Sequence, residues 1–320
     1  MYKTDFESEI WRSFAQSAGD SEDIELLNEV WRALTENDSS VSSAQLGSFA
    51  KAAGNVTGKE LLHEIWNFCR KKNIKLDPRT WGSYANAAGK VEDKELLFEI
   101  WNDCRKHGVV LEPAQWGTFA DAAGKVNDGH LLNEIWKSYQ DTNAELDSIA
   151  WSNFANAAGK IRKHNLVKNI WETLRLSGSS FDSAQWGSFA NAARNVWEPE
   201  LLEEIWKECL KADIILEPAT WGSFANAAGY IGNKELLRKI WKECSDSKVS
   251  FDKIQWGSFA NAAGLTGDSE ILSEIWQFCR KYACGFDKIQ LSTFAKAFGK
   301  TGLSDFLNEI WAISNYYGSF

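Results

Sequence analysis

Apolar residues return along the chain with helical spacing, and the helices they predict come in pairs of constant length. In residues 78–112, Trp81, Tyr84, Ala85 and Ala88 form an i, i+3, i+4, i+7 stripe. After a short turn, Leu96, Leu97, Ile100, Trp101 and Cys104 form a wider stripe, with Glu95, Glu99 and Asn102 facing outward. The first helix is designated A and the second B. Asp77-Pro78, Glu112-Pro113 and Glu217-Pro218 each supply an acidic cap and a proline at the first position of helix A. Asp147, Asp182, Asp252 and Asp287 keep the cap where proline is absent. Gly89 is expected to end helix A in the left-handed conformation. Asp93 is expected to cap helix B, with Asp128, Asn233 and Asp268 at the equivalent place.

The pair recurs every 35 residues, nine times, with no insertion or deletion. Helix-A phrases begin at Trp11, Leu46, Trp81, Trp116, Trp151, Trp186, Trp221, Trp256 and Leu291. Each is followed twenty residues later by a helix-B tryptophan, from Trp31 to Trp311, and only Trp197 of the 17 tryptophans is off both registers. A fixed period with paired helical patterns marks a solenoid, because one hairpin cannot bury both of its faces and stacked hairpins can. The expected fold is all-α: an α-solenoid, a right-handed superhelix of nine 35-residue helix-turn-helix repeats in one array over residues 1–320. The units run approximately 8–42, 43–77, 78–112, 113–147, 148–182, 183–217, 218–252, 253–287 and 288–320, with A helices inside and B helices outside. Arg12, Gln16 and Asp20 at the front, and Leu291 with Tyr316-Tyr317-Gly318-Ser319-Phe320 at the back, depart from the pattern and read as caps with a solvent side.

Placing the cysteines on the repeat changes their meaning. Cys69, Cys104, Cys209, Cys244 and Cys279 all lie three residues after a helix-B tryptophan, on the apolar face, so they are expected to be buried, reduced and unliganded. Only Cys284 is unpatterned. Such usage suits an intracellular, reducing compartment, either the cytoplasm or, for a mature form, an organelle. The net charge of −9 argues mildly against a general nucleic-acid or anionic-membrane binder. It is uneven, however: residues 1–45 carry −7, residues 46–80 carry +4 and residues 151–185 carry +3. No apolar run approaches a membrane span, and no membrane partner is expected. His63, His107, His130 and His164 share no repeat position or ligand spacing, and the glycines follow the repeat rather than a phosphate-binding loop. No catalytic residue, metal or cofactor is expected.

The ungapped 35-residue period, the helix-A aromatic Trp81, the Gly89-Lys90 helix end, the Glu95-Leu96-Leu97…Ile100-Trp101 helix and the acidic residue closing each unit resemble the pentatricopeptide repeat family over residues 8–320. Tetratricopeptide repeats are less similar, since their period is 34 and their late proline is missing here. The resemblance implies a binding scaffold that holds single-stranded RNA along the inner groove, one base per repeat. It also implies that each base is chosen by the residue after the helix-A aromatic together with the residue that ends the unit. The corresponding pairs are Gly47 with Asp77, Gly82 with Glu112, Gly117 with Asp147, Ser152 with Asp182, Gly187 with Glu217, Gly222 with Asp252 and Gly257 with Asp287. Only Ser152 with Asp182 resembles a purine-type pair. Glycine has no side chain to donate or accept, so low base selectivity is expected.

Helix A is predicted to expose Gly82, Ser83, Asn86 and Lys90 and their equivalents. Asn86, Asn156, Asn191, Asn226 and Asn261 recur at one site, as an inter-repeat ladder or as an amide array facing a ligand. Lys90, Lys125 and Lys160 share another and would serve as phosphate contacts. An alternative is a protein-interaction solenoid that holds an extended basic peptide. A basic stripe along the groove favours RNA, whereas an acidic or neutral one favours peptide.

Overall fold

The computed structural model describes residues 2–36, 41–142, 144–212, 214–247, 253–282 and 286–317; all regular structure among them is helical. The chain divides into two compact units, residues 1–161 and 162–320. In the first, A helices α1 (Tyr2–Asp20), α3 (Ser43–Asn55), α5 (Pro78–Lys90), α7 (Pro113–Lys125) and α9 (Ser148–Lys160) alternate with B helices α2 (Ile24–Glu36), α4 (Lys59–Lys71), α6 (Lys94–Lys106) and α8 (Gly129–Gln140). The second contains B helices α10 (His164–Ser177), α12 (Pro199–Lys211), α14 (Lys234–Asp246), α16 (Ser269–Tyr282) and α18 (Ser304–Tyr317). Its A helices are α11 (Ser183–Asn195), α13 (Pro218–Ile231), α15 (Lys253–Thr266) and α17 (Lys288–Thr301). Within each unit consecutive A helices pack on one another, and each A helix whose B helix lies in the same unit packs on it. Each unit is thus an α-solenoid of the expected hairpins.

The helix starts follow the sequence. Asp77 Oδ1 accepts from Thr80 N–H at 2.9 Å, Asp147 from Ala150 at 2.7 Å and Asp182 from Gln185 at 2.8 Å. Asp93 caps helix B through Leu96 N–H at 3.0 Å, and Asn233 does so through Leu236 N–H at 3.0 Å.

Glycine plays a different part from the one expected. Gly89 lies buried within α5, and the left-handed residue is Glu92 in the turn beyond it. The same turn position is left-handed at Glu22, Thr57, Asn127, Arg162 and Trp197, and at Gly232, Gly267 and Gly302. Gly89 is a packing residue: a Cβ there would lie 2.9 Å from Ala122 Cα in the next A helix. Gly54 faces Ala87, Gly124 faces Ala157, Gly229 faces Ala262 and Gly264 faces Ala297 in the same way. Absence of a side chain lets neighbouring A helices touch backbone to backbone.

Aromatic rings fill the wider space between each B helix and the following A helix. Trp66 meets Trp81 edge-on at 5.8 Å and Tyr84 at 5.1 Å. Trp101 repeats this with Trp116 and Phe119, and Trp206 with Trp221 and Phe224. Edge-to-face rings add about 0.5–1.5 kcal/mol per pair beyond the area they bury. On the outer side, the indole N–H of Trp31, Trp171, Trp241 and Trp276 donates to Glu64, Glu204, Glu274 and Glu309 of the next repeat, at 2.9–3.1 Å. Buried Asp93 joins Lys59 at 3.1 Å and His63 at 2.7 Å, and Asp268 joins Arg238 at 2.7 Å. Burial raises the pKa of Asp93, but Leu96 N–H, His63 and Lys59 more than offset this and hold it below the ordinary carboxylate value.

At the front, Arg12, Gln16 and Asp20 are exposed, as expected of a solvent side, but the terminal hairpins also expose large apolar residues. Trp311 is 68 % exposed where Trp276, its equivalent, is 1 % exposed, and Phe14 is exposed as well. The side chains of 315–320 lie outside the described residues.

Cys69, Cys104, Cys209, Cys244 and Cys279 are free and at most 3 % exposed. Burial pushes Cys69 up to about 11, with the charge of Asp103 adding to it, and Cys104, Cys209 and Cys279 up to about 12. Cys284 lies outside the described residues.

Three outcomes are expected. Trp171→Ala should cost about 3–5 kcal/mol, because it empties a site between α10 and α11. The loss should stay local, so hydrogen exchange that loosens uniformly from end to end would contradict it. Gly229→Ala should destabilise by about 1–3 kcal/mol despite alanine's better helix propensity, since its Cβ would sit 2.5 Å from Ala262 Cα. Gly257→Ala, with nothing within 4 Å, should instead stabilise by about 0.5–1 kcal/mol, and urea denaturation of the two variants compares them directly. Because the five thiols are buried and stay protonated at pH 8, a thiol reagent should label them in the native protein far more slowly than in urea. Equal rates would refute this.

Candidate nucleic-acid interface

Within each unit the A helices present a polar row where the B helices and neighbouring repeats do not cover them. In α5 the row is Arg79, Ser83, Asn86 and Lys90, spaced i, i+4, i+7 and i+11, and all four are exposed or half-buried. Its equivalents are Ala44, Ser48, Lys51 and Asn55 in α3, Ala114, Thr118, Asp121 and Lys125 in α7, and Ile149, Asn153, Asn156 and Lys160 in α9. A cavity of about 640 Å³ lies against the first of these rows, lined among others by Arg12, Lys51, Asn55, Arg79 and Ser83. In the second unit a cavity of about 750 Å³ lies over Asn226, Ser258, Asn261, Ile289, Lys296 and Lys300.

The row excludes the residue after the helix-A aromatic. Gly47, Gly82, Gly117, Gly187 and Gly222 are buried rather than exposed, contrary to the expectation from the sequence, and Gly257 is half-buried. They turn towards the next A helix: a Cβ on Gly82 would meet Gln115 Cγ at 3.3 Å, on Gly117 Ala150 Cα at 2.8 Å, and on Gly222 Ser258 Oγ at 3.3 Å. Half-buried Ser152 is the one member of the set with a hydroxyl.

The residues that end each unit line the edge of the face. Asp77, Glu112, Asp147, Asp182 and Glu217 are exposed and Asp287 is half-buried, while Asp252 lies outside the described residues. Asp77, Asp147, Asp182 and Asp287 cap helix A through their side chains, whereas Glu217, expected as a cap, makes no side-chain cap hydrogen bond. Asp77 also accepts from Ser43 Oγ of the preceding repeat at 2.7 Å. Burial raises the pKa of Asp77, yet the hydrogen bonds from Thr80 and Ser43 hold it below the ordinary carboxylate value. Asp287 accepts from Gln290 N–H at 2.8 Å, and Gln115 Oε1 accepts the backbone N–H of Glu112 at 3.2 Å. Glu217 donates its backbone N–H to Ser183 Oγ at 2.9 Å.

The asparagines form inter-repeat rungs in the second unit. Asn191 Nδ2 donates to Ser223 Oγ at 3.3 Å, and Asn226 Nδ2 donates to Ser258 Oγ at 3.1 Å. Asn86 and Asn261 are half-buried on the same row, and Asn156 is exposed. A rung uses one donor of a side chain that carries two donors and one acceptor, so the ladder and ligand readings are compatible.

Of the lysines, Lys90 donates to Asn55 Oδ1 of the preceding repeat at 2.6 Å, Lys125 pairs with Asp121 at 2.7 Å, and Lys160 is exposed. With Lys51 and Arg79, the rows of α3 to α9 hold five cations and a single acid, Asp121. The rows of α11, α13 and α15 hold no charged residue.

Sequence reasoning passed over Ile149, Ile254 and Ile289, which are large, apolar and exposed at the start of their rows. Their place two residues before the helix-A aromatic, off the buried stripe, was the available signal. Among the described residues no group of three or more His, Cys, Asp and Glu side chains could hold a metal ion, and no helix is long and apolar enough to cross a membrane.

No family model matches the sequence, and no curated protein matches it. Solved structures do match in fold. The pentatricopeptide repeat protein PPR10 from maize aligns with 94 % of this chain and 43 % of its own, at 12 % identity and a TM-score of 0.61. PPR10 in complex with an 18-nt psaJ RNA element aligns over 95 % of this chain and 53 % of its own, at 10 % identity and a TM-score of 0.40. The nuclear proteinaceous RNase P 2 of A. thaliana aligns over 58 % of this chain and 41 % of its own, at 11 % identity and a TM-score of 0.44. The chain therefore spans about half the length of the PPR10 chains it matches. Its fold is that of a pentatricopeptide repeat protein.

Proposed function

We propose that the protein is a non-catalytic scaffold that binds single-stranded RNA along the face of its A helices, mainly through the backbone and with little base selection. The observation that carries this reading is the row of Lys51, Arg79, Lys90, Lys125 and Lys160 on successive A helices, a basic stripe within an acidic chain. Cations at a regular repeat spacing suit a phosphate backbone. PPR10, which shares the fold, has been crystallised with an 18-nt RNA element, so RNA is a ligand that this fold can accept. Base reading is weak in this proposal because the glycines after the aromatic are buried, and most of the acidic partners are occupied as helix caps.

The uncharged amide rows of α11, α13 and α15 favour a second reading, an extended peptide held by Asn191 and Asn226. The decisive experiment measures binding to pools of single-stranded RNA at two salt concentrations. Replacing Lys90, Lys125 and Lys160 together with Gln should lower affinity for all sequences alike and reduce the salt slope by roughly 0.7 per contact. Lys125, already paired with Asp121, should contribute least of the three. A parent protein that fails to bind at moderate salt, or a triple variant that binds as tightly as the parent, would remove RNA in favour of peptide.

A further inference from the structure

Two side chains unlike those of the other repeats meet at the turn between α11 and α12. The first is Arg194 in α11, at the position where Gly54, Gly89, Gly124, Gly229 and Gly264 pack against an alanine of the next A helix. The second is the left-handed turn residue, which is glycine at 232, 267 and 302 and Glu, Thr, Asn or Arg in the earlier repeats; here it is the aromatic Trp197, with φ 58°. A bulky aromatic is rare in that conformation and carries a strain cost there. Burial does not offset it, since Trp197 is 64 % exposed. Trp197 therefore works against the fold at the position it occupies.

The geometry suggests what the two side chains do. The guanidinium of Arg194 lies 5.1 Å from the centre of the Tyr230 ring, and its Nε and Nη2 both donate to Asn195 Oδ1, at 3.3 and 3.1 Å. Ring and amide together fix the guanidinium, and its Nη1 has no partner among the described residues. Trp197 donates its backbone N–H to Arg194 O at 3.0 Å, so both residues belong to the same turn. Tyr230 is 48 % exposed and ends the row Ala219, Ser223, Asn226, at the place held by Lys90 and Lys125 in the first unit. The charged contact of those repeats is replaced by an aromatic ring with an arginine over it.

We propose that Arg194 and Trp197, with Tyr230 and Asn195 positioning the guanidinium, form a nucleotide platform: a phosphate binds the free guanidinium edge and a base stacks on the exposed indole. Planar guanidinium donors match phosphate oxygens, and an exposed indole accepts any base face. This rests on the RNA reading above and extends it to a site outside the lysine row and the unit-end pairs.

The test uses the substitutions that the other repeats already carry. Trp197→Gly relieves the strained turn and should be at least as stable as the parent in urea denaturation, whereas Arg194→Gly puts a glycine inside α11 and loses the Tyr230 contact, so it should be modestly less stable but folded. Trp197→Gly should nonetheless weaken binding to a single-stranded RNA pool by about 5- to 100-fold with an unchanged salt slope. Arg194→Gly should weaken binding and lower the slope by roughly 0.7. On an abasic single strand, Trp197→Gly and the parent should bind equally. If the parent binds RNA and both variants bind as well as it does, the platform is refuted and the RNA reading stands. If the parent binds no RNA, both fall together.

Discussion

The structure depends on how closely consecutive A helices can approach. At Gly54, Gly89, Gly124, Gly229 and Gly264 a Cβ would stand within 3 Å of the next helix's alanine Cα, so the distance between repeats is set by backbone contact. Everything else is dimensioned around that contact. Helix B diverges from it, and the gap that opens is filled by a tryptophan meeting two rings of the next repeat. The small-residue side and the aromatic side form one wedge, whose thin edge is the groove. Side chains on that edge consequently lie one repeat apart, which gives the row of lysines and asparagines its regular spacing.

In the proposed RNA reading, the same wedge accounts for the weak base selection. Burying Gly82 and its equivalents between helices withdraws from solvent the position that the family resemblance assigns to base choice. Capping then occupies carboxylates such as Asp77, Asp147 and Asp182. What remains exposed are residues one turn further along the helix, chiefly serines, amides and lysines. These groups are generic donors, suited to a repeating backbone rather than to particular bases.

Much of this was legible in the sequence, because period and amphipathic stripe are enforced by burial. Trp81, Trp101 and Cys104 lie where their spacing puts them, and the caps at Asp77, Asp93 and Asn233 follow from local chemistry. The roles of glycine were not legible. Gly89 could end a helix or let two helices touch, and only the position of Ala122 decides between these. Gly82 has helical spacing consistent with an outward face, but the small residues around it drew the next helix over it. Arg194 and Tyr230 are 36 positions apart in sequence, so their stacking could be seen only once neighbouring repeats were aligned in space.

The outer seam is not uniform. Trp31, Trp171, Trp241 and Trp276 tie each B helix to a glutamate of the next. At Trp206 the matching residue is Lys239, which cannot accept, and at Trp66 it is Glu99, which pairs with Arg70. The indole N–H groups of Trp66, Trp101 and Trp206 are buried without an acceptor among the described residues. An unmade bond of this kind costs about 1–3 kcal/mol. Under bending or tension, therefore, the stack should behave as a chain of hinges of unequal stiffness, giving first at the joints whose outer strut is missing. A flexible strand lying on the opposite face would find some of its footholds fixed and others compliant.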